Sequence, residues 1–154
     1  MNPNVLRDKN KEINDSAEQE QKLIKFAYDL IIKDEVKIRR IFGMQDSSDK
    51  QLLEEVIKAI KDLDQRAIIP FGAGDIRFLK PGDEIQDPLA KLGLLHAVSP
   101  DHVAPTKYGT LGHKIVPTEE GIALIDELRE SQGRPSVAEE QQKRWKGFHA
   151  IRNS

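Results

Sequence analysis

The chain of 154 residues has no cysteine. Disulfides, thiolate zinc sites and cysteine nucleophiles are therefore excluded, and a cytoplasmic setting is the simplest expectation. A basic excess is also missing, since 24 Lys and Arg stand against 26 Asp and Glu for a net charge of −2. Any contact with nucleic acid must then rest on a local patch. No apolar run approaches the ~20 residues that span a bilayer, so no membrane partner is expected. The opening MNPNVLRDKNKEINDSAEQEQK has no apolar stretch of the secretory kind, and no leader is expected. Internal repeats and low-complexity tracts are absent as well. What remains is a charged-surface composition, 38% hydrophobic and 32% charged, long enough for one compact domain with a core of its own.

Periodicity and capping signals divide the chain. Residues 1–15 are polar and without period and read as a flexible arm. Residues 16–133 read as one domain, and 134–154 as a C-terminal amphipathic helix and tail. Ser16-Ala17-Glu18-Gln19 fits a capping box, ahead of Leu23, Ile24, Ala27, Leu30 and Ile31 at helical spacing, which predicts a helix from about 17 to 33. Val36–Phe42 fits neither period cleanly and reads as a short helix or a strand that Gly43 ends. A second box, Ser48–Gln51, precedes the strongest stripe, Leu52, Leu53, Val56, Ile57, Ile60 and Leu63, and predicts a helix over about 49–65. Ala67–Phe71 and Ile76–Leu79 flank a Gly-rich turn and read as a hairpin. A helix of about 84–93 follows, or one that starts only at Pro88, with Gly93 as its left-handed end. Leu94–Val98 and His113–Val116 are strand candidates. Thr118 caps a helix that Gly133 and Pro135 end, and Ser136–Glu139 is a third capping box.

LAKLGLLHAV at 89–98 and HKIVPTEEGIALIDEL at 113–128 carry a resemblance. Over residues 85–128 the chain resembles the winged-helix superfamily, especially small prokaryotic transcription regulators. That resemblance implies an α+β fold: a recognition helix, a Leu-Gly-Leu step into a strand, a hairpin wing, and a long helix that often packs in a dimer interface. Here it implies a winged-helix-like domain with extra N-terminal helices and a C-terminal helix. The implied recognition element departs from the DNA-binding pattern. DEIQDPLAKL sets Asp83, Glu84 and Asp87 against Lys91 alone, and phosphates repel such a helix.

The leading expectation is a non-enzymatic, DNA-binding transcriptional regulator. Lys107, Tyr108, His113 and Lys114 on the wing, with Lys91, Arg39 and Arg40, are its candidates for contacts with double-stranded DNA. A homodimer is expected, with Ile122, Ile125, Leu128, Trp145 and Phe148 at its interface. The alternative is a protein-interaction module of the same fold, a phage, plasmid or host-defence accessory protein, whose acidic helix faces a basic partner. Lys143, Arg144 and Lys146 around Trp145 form a further basic cluster, read more simply as the solvated side of a helix. No catalytic group, cofactor or metal site is expected. FGAGD at 71–75 lacks the spacing and the Lys-Ser/Thr of a phosphate loop. His96, His102 and His113 match no familiar metal-ligand spacing.

Overall fold

Between Asn4 and Phe42 the sequence has neither glycine nor proline, and most of that run is helical. The computed structural model describes residues 3–69, 74–98 and 111–152, and the side chains of 16–69, 74–98 and 112–147. Helix α1 (Pro3–Lys33) begins well before the expected cap, so Ser16 lies inside it and not at its start. Nothing between the two residues breaks a helix, and proline is tolerated in a first turn. Asp34 then interrupts the chain and caps α2 (Glu35–Phe42), its side chain accepting from the Lys37 amide at 3.2 Å. The ambiguous 36–42 segment is therefore helical, and Gly43 ends it at φ 65°.

Helix α3 (Asp49–Ile68) opens on the Ser48–Gln51 box with both reciprocal bonds made. It runs three residues past the expected end and takes in Ala67 and Ile68, which were expected in a strand. The reason is the stripe itself. Leu52, Val56, Ile60, Leu63 and Ala67 are all buried on one side, so the helical period continues. The 67–71 with 76–79 hairpin accordingly does not form; residues 70–73 of it lie outside the described residues.

Strand β1 (Ile76–Leu79) pairs instead with a distant strand. After α4 (Pro88–Lys91) come β2 (Leu95–Val98) and β3 (Leu111–Pro117), an antiparallel pair in the register Leu95↔Pro117 to Val98↔Lys114. The chain does double back here. β1 joins the other side of β3, Ile76 opposite Lys114 and Phe78 opposite Gly112, which gives the order β1-β3-β2. The helix expected over 84–93 is thus a single turn starting at Pro88, the shorter of the two readings. Its end is set by Gly93 at φ 78° and by the Leu94 amide bonding the Leu89 carbonyl at 2.8 Å.

Helix α5 (Glu119–Ser131) starts where the resemblance places it, and the reason is steric. Thr118 Oγ1 accepts from the Gly121 amide at 3.1 Å and donates to the Gly93 carbonyl at 2.6 Å. The Thr118 amide bonds the Leu94 carbonyl at 3.0 Å. Gly121 lies so close to that carbonyl that a Cβ would overlap it. Helix α6 (Val137–Arg152) begins after Ser136, whose Oγ accepts from the Glu139 amide; Glu139 answers the Ser136 hydroxyl, not its backbone amide.

The described residues thus form a mixed α+β structure of six helices and one three-stranded antiparallel sheet. Helix α3 is its axis, touching α1, α5, α6, α4 and β3. Leu23, Ala27 and Ile31 of α1, Leu95 and Ile115 of the sheet, and Ile125, Leu128 and Val137 complete one core. One charge lies within it. Arg129, 2% exposed, bonds Asp64 at 2.8 Å and the Pro135 carbonyl at 3.1 Å, and Arg134 takes the second Asp64 oxygen at 2.8 Å. That cluster fixes the end of α5 and the turn after it to α3.

Gly121→Ala should cost about 1–3 kcal/mol, because the new methyl must push helix and hairpin apart. Urea unfolding checks this, and a variant with the wild-type midpoint would show that the close approach is not required.

Candidate interaction surfaces

Cross-strand partners share a sheet face, so the register sorts every side chain. Leu95, Ala97, Ile115, His113 and Arg77 fall on the side turned to the helices. Ile76, Phe78, Lys114, Val98, His96 and Val116 fall on the other. The outer group is unusual. Ile76 is 51% exposed, Phe78 62% and Val98 41%. Ile76 and Val98 flank Lys114 across the strands, and Phe78 lies over Gly112, where an added Cβ would sit 3.4 Å from its ring. Sequence alternation in Ile76-Arg77-Phe78-Leu79 suggests the opposite, with Ile76 and Phe78 inside and Arg77 in water.

A charge network explains the inversion. Arg77 on the helix side donates to both oxygens of Asp87 at 2.8 Å and to Asp75 at 2.7 Å. Arg66 of α3 reaches the same Asp75 at 3.1 Å and Asp62 at 2.9 Å. The hydrogen bonds from Arg77 hold the Asp87 and Asp75 carboxyls below the ordinary carboxylate range, against the opposing pull of desolvation. Arg77 itself is raised, first by Asp87 and then by Asp75. Three elements meet in this network: the end of α3, strand β1 and the start of α4.

The network also changes the reading of the acidic helix. Asp87 is ion-paired with Arg77, and Asp83 accepts from the Lys80 amide at 2.8 Å to close a turn. Of the three acids expected to face a partner, Asp87 is taken up by the network, while Asp83 and Glu84 stand exposed.

The expected DNA contacts scatter. Arg39 is not a surface cation. Its side chain, 15% exposed, bonds the Met44 and Ser47 carbonyls at 3.0 and 2.7 Å and Asp49 at 2.7 Å, tying α2 to the start of α3. Arg40 and Lys91 are exposed, on α2 and α4, which touch each other. Lys114 is half-buried on the outer sheet face, whereas His113 is half-buried on the inner one. Lys107 and Tyr108 lie outside the described residues. His96 and His113 occupy opposite sheet faces and cannot share an ion; His102 lies outside the described residues.

The expected dimer contacts are likewise divided. Ile125 and Leu128 are 0% and 2% exposed. They belong to the core of their own chain and offer nothing to a second one, because the helical stripe they form is already covered by α3. Ile122 is half-buried and packs against the same core. Trp145 is 43% exposed. The Phe148 side chain lies outside the described residues. Helix α6 is held from its earlier turns, by buried Val137 and by Gln141 donating to the Ala67 carbonyl at 2.7 Å. No protein-family model, curated protein or solved structure matches the chain.

The sign of the pH dependence follows from the lowered carboxyls. Above the ordinary carboxylate range both folded and unfolded chains are ionised, and the full stabilisation is present. As pH falls through roughly 4 the unfolded chain takes up protons first, and the stabilisation is lost. Arg77→Gln should therefore lower stability at neutral pH, by on the order of 1 kcal/mol for a half-exposed network. The difference from wild type should shrink in acid. Denaturant titrations at neutral and acid pH check this, and a difference that stays constant would sink it.

Proposed function

We propose that the chain is a non-enzymatic, winged-helix-like interaction module that binds another protein through the outer face of its sheet. The carrying observation is the group Ile76, Phe78 and Val98, all exposed on one face around Lys114. Apolar side chains gathered on one face mark protein-binding surfaces. Phosphates reward cations and give nothing for burying an isoleucine or a phenylalanine edge. The strand order β1-β3-β2, the single turn α4 leading through Leu-Gly-Leu into β2, and the capped α5 after β3 support the winged-helix resemblance.

The double variant Ile76→Ser with Phe78→Ser changes only exposed side chains and should leave the fold intact. A protein retained by the tagged chain from its native cell extract, then purified, should bind this variant at least about 10-fold more weakly. Equal binding to wild type and variant would remove the sheet face from the proposal.

A second reading, a DNA-binding regulator, has its own support. Arg77 pairs with Asp87, and Lys91 and Arg40 stand exposed on touching elements. One turn of helix spans only about 6 Å and cannot read a groove, so binding would rest on phosphates. Affinity for random-sequence duplex should then fall steeply with salt, and Lys91→Glu with Arg40→Glu should weaken it and flatten the salt slope by roughly two contacts. No binding even at ~50 mM salt would dispose of this reading.

A further inference from the structure

Helix α1 has a second apolar side that the fold leaves uncovered. Leu23, Ala27 and Ile31 face the core. One position on, Ile24, Tyr28 and Ile32 repeat at four-residue spacing and are 40%, 55% and 59% exposed. A helix turns about 100° per residue, so the three stand in one row beside the buried side. The same row continues towards the N-terminus through the uncharged Gln21 and Ala17.

We infer that a second copy of this chain covers this row, with the two α1 helices antiparallel. The charges beside the row choose both the occupant and its direction. Lys25 and Asp29 are exposed on its outer flank, and no ion pair joins either to another described residue. On the inner flank Glu20 is already spent on Lys61 of α3 at 3.3 Å. When two helices meet face to face and antiparallel, the same flank of each meets its counterpart. With the axis near Ala27, Lys25 faces Asp29 of the second copy and Asp29 faces its Lys25, so two ion pairs form by symmetry. In the same register Ile24 fits between Tyr28 and Ile32 of the second copy. In a parallel pair the outer flank of each helix would meet the inner flank of the other, so Lys25 would not meet Asp29 and this charge match would be lost. The self-complementary pattern is what a two-fold interface requires. This surface lies on a different element from the sheet face proposed above, and either can hold without the other.

The cysteine-free chain gives a direct test. In the antiparallel arrangement two copies of residue 28 lie about 3 Å apart along the axis and two copies of residue 32 about 15 Å apart. Tyr28→Cys should cross-link with itself on oxidation and Ile32→Cys should not. Sedimentation of the full chain should give a dimer mass, and Tyr28→Glu should weaken association at least about 100-fold with unchanged circular dichroism. Lys25→Asp and Asp29→Lys should each weaken the dimer, and the two together should restore it. A monomeric wild type, a dimer indifferent to Tyr28→Glu, cross-linking at both cysteine positions, or no rescue by the double charge exchange would overturn the proposal.

Discussion

The fold turns on one close approach. Gly121, in the first turn of α5, lies against the Leu94 carbonyl at the start of β2, and Thr118 holds it there by bonding the chain on both sides. Only a residue without a side chain allows helix and hairpin to share that space. The approach fixes where β3 ends and α5 begins. Through the register it then decides which side chains of the hairpin face the helices. Leu95 and Ile115 go inward beneath α3; Val98 and Lys114 go out.

The charged residues do more construction than display. Arg77, Arg66, Asp75 and Asp87 join the end of α3 to β1 and α4, and Arg129, Asp64 and Arg134 join α3 to the end of α5. Arg39 does the same between α2 and α3. Each guanidinium meets carboxylates or carbonyls with several donors at once, the geometry in which such pairs are strongest. Cations spent in this way are lost to phosphate binding. Among the described residues, the exposed apolar side chains include a group on the sheet, Ile76, Phe78 and Val98, and a row on α1, Ile24, Tyr28 and Ile32.

Much of the architecture was legible because it is local. Ser48 and Thr118 announce helix starts through side chains that reach amides three residues on. Gly43 and Gly93 announce ends through a left-handed backbone. The β2–β3 hairpin was legible from two short apolar segments and the capped helix behind them. The candidate site was legible only in fragments: Arg40 and Lys91 do stand on the surface, but Arg39, Ile125 and Leu128 do not. A basic residue in a cluster and an apolar residue in a stripe look alike in sequence whether they face water, a partner or their own core.

By itself, the sequence determined the helical stripes, their caps and the hairpin, since each depends on residues within one or two turns of one another. Only the tertiary structure decided the pairing of β1 with β3, because a four-residue strand has no preference for a partner 32 to 38 positions away until the core brings them together. It also decided that Arg77 turns inward and Phe78 outward. Alternation says that the two must face opposite ways, but which way rests on where Asp75 and Asp87 come to lie.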